Sequence, residues 1–138
     1  MPFITVDLHA GTTDAEQRRA VSDALHEAMK EVLRIPDDDR FHAFYEHEDG
    51  FFFHEDVVFG LPRDKGLMCI TLSFNDRTAE QKQRLYAAIE RHLHDRAGVT
   101  RDRFVLRVLE TASENWWAAG RVVDPGTGYD ERMPAPTD

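Results

Sequence analysis

Residues 4, 6 and 8 are Ile, Val and Leu, and Phe3, Thr5 and Asp7 alternate with them. That period of two predicts a strand over Pro2–Leu8 with one aliphatic face. The period then changes. Val21, Ala24, Leu25, Ala28, Met29 and Val32 recur at spacings of three and four, which predicts an amphipathic helix ending near Arg34. Thr12-Thr13-Asp14, with Glu16 and Gln17 close behind, supplies caps for the first N–H groups of that helix. Ile35-Pro36 stops it, because proline keeps the preceding residue out of the α region. Beyond the turn Asp37-Asp38-Asp39, residues Arg40–Glu46 read as extended and aromatic.

The order then returns. Leu67–Phe74 reads as a strand. Asn75-Asp76-Arg77-Thr78 opens a second helix with Leu85, Ala88, Ile89, Leu93 and Ala97 on its apolar stripe. Phe104–Glu110 reads as another strand. Asp14-Ala15-Glu16-Gln17 answers Thr78-Ala79-Glu80-Gln81, and Asp39-Arg40-Phe41 answers Asp102-Arg103-Phe104, both at offsets close to 64 residues. The chain therefore reads as one α/β domain over 1–138 made of two tandem βαβ units. The first unit spans 2–48, an irregular connector 49–66, the second unit 67–111, and a C-terminal segment 112–138.

A crossover helix makes the two strands of each unit parallel. Two such units predict a four-stranded sheet with two helices on one face. The opposite sheet face also reads as apolar and has no third layer, so an oligomer is expected. Ala118–Val123 could add a short edge strand. Asp124-Pro125-Gly126-Thr127-Gly128 reads as a loop, and the Pro-containing end Met133–Asp138 as loosely held.

Composition narrows the function classes. A chain of 138 residues buries about 70% of its unfolded surface on folding, enough for a core without a disulfide or metal staple. No apolar run approaches the ~20 residues of a membrane span, so no membrane partner is expected. One cysteine, Cys69, and no export-like opening point to the cytoplasm. With 17 Lys+Arg against 26 Asp+Glu the net charge is −9, which opposes nucleic-acid binding.

The chain opens Met1-Pro2. Aminopeptidases remove an initiator Met before a small residue such as proline. A terminal proline is a rigid secondary amine at a strand start. A free α-amino group titrates near ~8, lower when buried among apolar groups and higher beside carboxylates. Pro2 is thus a candidate base or acid, according to its surroundings.

Several strings taken together, Pro2-Phe-Ile-Thr-Val-Asp-Leu, Pro36 with Asp39-Arg40-Phe41, Arg77-Thr78-Ala79-Glu80-Gln81-Lys82, and Glu114-Asn115-Trp116, resemble the tautomerase superfamily. Within it the chain is most similar to the malonate semialdehyde decarboxylase group, over roughly residues 2–117. The resemblance implies a homotrimeric barrel of sheets ringed by helices, and a site without metal or cofactor. Pro2 matches the catalytic proline. Asp39 matches an aspartate that pairs with the proline and helps to activate water. Arg77 matches the second of two arginines holding the substrate carboxylate. Asn75 stands where the first arginine is expected, a departure that weakens the decarboxylase reading. Trp116 matches the tryptophan walling the pocket, and Trp117-Ala118-Ala119-Gly120 reshapes that wall. Asp102, the repeat-mate of Asp39, has no partner proline and serves as an internal control.

The resemblance thus implies catalysis by Pro2, Asp39 and Arg77, and binding of a small carboxylate or carbonyl compound by Asn75, Arg77, Trp116 and Trp117. The leading expectation is a tautomerase in which Pro2 moves a proton on a 2-oxo or β-carbonyl acid. The alternative is a hydratase or decarboxylase in which protonated Pro2 polarises a carbonyl and Asp39 directs water. A ligand-binding or signalling protein on the same scaffold is the reading from another class.

Seven histidines invite a metal reading. None makes a HExxH pair or has a Cys partner, and His92 and His94 lie too close on a helix to share a site. His26 reads as a core histidine, and Cys69 as an inert strand thiol. Phe51-Phe52-Phe53 with Phe59 reads as a packing cluster between subunits, or a lid.

Overall fold

The computed structural model describes residues 2–124, 126 and 130–132. Strand β1 is Phe3–His9, helix α1 Ala15–Leu33 and strand β2 His42–His47. A small hairpin follows, β3 (Val57–Val58) and β4 (Leu61–Pro62). Strand β5 is Met68–Phe74, helix α2 Ala79–Ala97 and strand β6 Phe104–Glu110. A last hairpin joins β7 (Trp117–Ala118) to β8 (Arg121–Val122).

The main sheet runs β2-β1-β5-β6. Each unit pairs its own strands in parallel, β1 with β2 and β5 with β6, as a crossover helix requires. The units meet antiparallel along β1 and β5, with Thr5 opposite Thr71. Ile4, Val6 and Leu8 on β1 and Ile70, Leu72 and Phe74 on β5 are at most 1% exposed. They face Val21, Leu25 and Met29 of α1 and Leu85, Ile89 and Leu93 of α2, the stripes that the periodicity marks.

Both helices begin where capping chemistry places them. The Asp14 carboxylate accepts from the Gln17 N–H at 2.7 Å. Thr78 and Gln81 form a reciprocal capping box. Gly98, at φ 65°, closes α2 in the left-handed conformation, which costs glycine no steric strain.

Behind α1 lies a buried polar pair. His42 Nδ1 is 2.8 Å from Ser22 Oγ, and burial, then the Arg40 charge, depress the His42 pKa from 6.5 to about 4. A depressed pKa means that the fold excludes a proton that the unfolded chain accepts below 6.5. The contribution is fully present above that value and is lost as pH falls through about 4. Thermal melting is expected to drop over this window, and His42→Gln should flatten the drop. An unchanged melting profile for His42→Gln would exclude His42 as the group responsible.

Three expectations are corrected. The helix-free face is mixed, not apolar. Side chains alternate across a strand, so Thr5, Asp7, Thr71, Ser73 and Arg107 sit there among Phe3 and the half-exposed Phe41, Tyr45 and Leu109. The segment 118–123 does not extend the main sheet, because β7 and β8 pair only with each other. The connector is not wholly irregular, since it carries the β3–β4 hairpin. Phe51, Phe53 and Phe59 are more than 75% exposed, while Phe52 packs on the His9 and His47 rings. His26 is 2% exposed with Nε2 on the Asp37 carbonyl at 2.9 Å, but its Nδ1 has no partner. The loop expected at 124–128 falls largely, and the loose end at 133–138 entirely, outside the described residues.

Candidate active site

Pro2 is buried at the threshold of β1. The antiparallel register places Phe3 opposite Ser73 and Ile4 opposite Leu72, so one further step sets Pro2 opposite Phe74. On the other side β1 runs parallel to β2, and the Ile4 N–H donates to the Phe41 carbonyl at 2.9 Å. Pro2 therefore lies between the entry to β2, which Asp39 precedes, and the exit of β5, which Asn75 follows. Two sequence-distant candidates flank the proline because β1 runs parallel to β2 and antiparallel to β5.

Asp39 is 7% exposed, and its Oδ2 has no hydrogen-bond partner. Burial pushes its carboxyl above the ordinary carboxylate range, while the positive charge of the amino terminus draws it partly back. Its repeat-mate diverges. Asp102 is exposed, and the Thr100 hydroxyl that donates to its carboxylate holds its pKa down. The same position in the two units thus carries a buried carboxyl with an unmet oxygen at the proline's end of the sheet and a satisfied surface one at the other.

On the far side Asn75 is 8% exposed and donates through Nδ2 to Ser113 Oγ at 2.9 Å, leaving Oδ1 without a partner. Arg77 turns back on its own loop, donating from Nη1 to the carbonyls of Asn75 and Asp76, both at 3.0 Å. Its guanidinium carbon lies 5.9 Å from the centre of the Phe74 ring. No carboxylate is within ion-pair distance of it among the described residues, so the guanidinium is available to an anion.

The segment after β6 closes this end. Ser113–Asn115 is a short 3₁₀ turn, and the Trp116 N–H donates to the Ser113 carbonyl at 3.1 Å. Trp116 carries a buried Nε1 with no partner, whereas Trp117 is 69% exposed. Both line a cleft of about 220 Å³ with Arg121, Val123 and Arg132. Its two arginines are partly engaged, Arg121 with Glu131 and Arg132 with Asp130.

Of the five buried side-chain polar atoms without a partner among the described residues, three belong to Asp39, Asn75 and Trp116. Leaving such atoms unmet is costly; Asp39 and Asn75 flank Pro2 along the sheet, whereas Trp116 lines a cleft that includes neither them nor Pro2. The structure adds Ser113, Arg121 and Arg132, which the sequence reading did not single out. Ser113 lies in no periodic pattern, and the two arginines sit in a tail whose folding back no spacing announces. Among the described residues no three His, Cys, Asp or Glu side chains are arranged to hold a metal ion. No described helix is long and apolar enough to cross a membrane.

Comparison with known proteins gives two matches to family models, both described as tautomerase enzyme, one over residues 39–117 and one over residues 2–61. The probable tautomerase YusQ of Bacillus subtilis (strain 168) is 27% identical over 117 residues, covering 84% of this chain and 91% of that protein. A malonate semialdehyde decarboxylase, solved to explain its decarboxylase and hydratase activities, superposes with a TM-score of 0.76 at 28% identity. That match covers 86% of this chain and 92% of the other. FG41 malonate semialdehyde decarboxylase, solved with 3-bromopropiolate as inhibitor, superposes at 0.70 with 33% identity, over 85% and 88% of the two chains.

Proposed function

From the chain's place in the tautomerase enzyme family, which makes it a tautomerase-superfamily enzyme, we propose that it moves a proton on a small 2-oxo or β-carbonyl acid. Removal of Met1 would leave Pro2 as a secondary amine in a buried setting. Apolar surroundings disfavour its charged form and poise it as a base near neutral pH. The neutral nitrogen takes a proton from the carbon or oxygen of an enol system, and the proline ammonium returns it to the other atom. The Arg77 guanidinium holds the carboxylate. Asn75 and the Trp116 indole N–H offer hydrogen bonds to the carbonyl oxygen, and the two tryptophans limit water.

The observation that carries this reading is the burial of Asp39 beside Pro2. A carboxyl pushed above its ordinary range is a weaker anchor for a proline cation. One observation favours a second reading. Asp39 is buried with Oδ2 unpartnered, so once Met1 is removed an Asp39–Pro2 ion pair would hold the amine protonated. Pro2 would then polarise a carbonyl while Asp39 directs water, as in a hydratase or decarboxylase. Assembly as a homotrimer is part of the same proposal, with Phe41, Tyr45 and Leu109 on the helix-free face as contact residues.

The deciding measurement is a titration of the Pro2 nitrogen in Met1-free protein carrying nitrogen-15 proline. The tautomerase reading expects a midpoint near neutrality. A midpoint well above the ordinary ~8 of an α-amino group, falling in Asp39→Asn, would overturn it in favour of hydration and decarboxylation.

A further inference from the structure

The duplication that builds the sheet also builds a second pocket at its opposite end. The repeat offset carries Pro2 to Gly66, Asp39 to Asp102 and Trp116 back to Phe52. At that end a cavity of about 480 Å³ is lined by His9, Asp49, Phe52, His54, Arg63 and Lys65. No amine occupies the proline's place. A side-chain carbon at Gly66 would fall 2.0 Å from an Arg103 guanidinium nitrogen. Where the first unit carries a proline ring, the second carries an exposed guanidinium lying over a glycine.

Arg63 is the unusual member. It is 8% exposed, and its Nη1 donates to the Asp102 backbone carbonyl rather than to a carboxylate. Its Nε is buried without a partner, and among the described residues it has no ion pair. A buried guanidinium with no carboxylate in direct contact, and only the Asp102 charge at longer range, carries a large desolvation penalty. The other lining carboxylates do not relieve it. Asp49 pairs with Lys65 at 2.8 Å, Asp64 accepts from the Gly66 N–H at 2.7 Å, and both are exposed, as is Asp56.

The wall beside Arg63 is built of two imidazoles and a phenyl ring. His54 Nδ1–H donates to the Glu55 carbonyl at 2.9 Å, so its Nε2 accepts from His9 Nε2–H, also at 2.9 Å. The Phe52 ring lies 4.7 Å from the His9 ring and completes an apolar side. Burial, then the nearby His54 and Lys65, depress the His9 pKa. An anion entering here meets one buried guanidinium, an aromatic wall, and a rim where Lys65 is paired with Asp49 and the Asp56 and Asp64 carboxylates face solvent.

We propose that this cavity is a second binding site, for a small carboxylate anion held by Arg63, with no amine to act on it. A planar guanidinium matches a carboxylate through paired N–H donors. The test is an NMR titration of full-length, nitrogen-15-labelled protein with sodium acetate at constant ionic strength. The Arg63 Nε–H resonance and the Phe52 and His54 amides should shift together and saturate. Arg77→Ala should leave this titration unchanged, which separates it from the Pro2 site, and Lys65→Ala should weaken it several-fold. A non-saturating drift, a response lost in Arg77→Ala, or an Arg63 signal insensitive to acetate because a neighbouring copy already supplies a carboxylate would each overturn the proposal. Arg63→Ala removes an interior side chain and can fail to fold, so the native resonance carries the test.

Discussion

Turnover should fall by roughly two to four orders of magnitude when Pro2 is replaced by Ala in protein lacking Met1, the range expected for loss of a positioned acid or base. Alanine keeps a terminal amine, so some activity survives. What goes is the rigid ring that fixes the nitrogen at the threshold of β1. Pro2 is buried where β2 begins on one side and β5 ends on the other, and a primary amine on a freely turning alanine would not be held there. Melting should stay close to that of the native protein, since β1 itself starts at Phe3. Mass measurement of the purified native chain belongs to the same experiment, because a retained Met1 leaves no free proline nitrogen. Full activity in a folded Pro2→Ala variant, or in native protein that keeps Met1, would remove the proline from the mechanism.

The largest stability effect is expected at Leu72. This side chain is fully buried on β5, opposite Ile4 of β1, within the layer between sheet and helices. Leu→Ala at such a site costs about 2–5 kcal/mol, the lost transfer term plus the cavity left behind. Against a typical total of about 5–15 kcal/mol, that is a large share. The midpoint of thermal unfolding should fall by on the order of 10 °C. A control at Leu109, half-exposed on β6, should lose far less in the isolated chain. Equal losses at the two positions would mean that Leu109 is buried in the assembled protein, which differential scanning calorimetry across protein concentrations would register as a concentration-dependent midpoint.

Much of the framework was legible because backbone periodicity is local. The alternation at Ile4, Val6 and Leu8 and the stripe from Val21 to Val32 each report one element, and the structure places those elements within a residue or two of the reading. The repeat allowed the second unit to be read from the first. The mixed helix-free face was misread because Thr5, Asp7, Thr71 and Ser73 are small and polar among larger apolar neighbours. Facing pairs such as Arg107 and Thr71, joined at 2.9 Å, satisfy one another only once the strands are paired. The tail was misread for a related reason. The short segment 118–123 reads as a candidate edge strand, but whether it finds an edge depends on where the preceding 3₁₀ turn delivers it.

For the candidate site the division is similar. Pro2, Asp39, Asn75, Arg77, Trp116 and Trp117 could be named from residue type and family resemblance, because those are properties of short strings. Ser113 could not, since its importance lies in the hydrogen bond it takes from Asn75 across 38 positions. The pattern along the chain specifies the elements and their duplication, and residue type names the candidate polar groups. Only the tertiary structure decided which of these groups lost their water. Burial separates Asp39 from Asp102 and leaves Asn75, Trp116 and Arg63 with unmet polar atoms. Desolvation is a property of everything packed around a group, and no local pattern of residues encodes it.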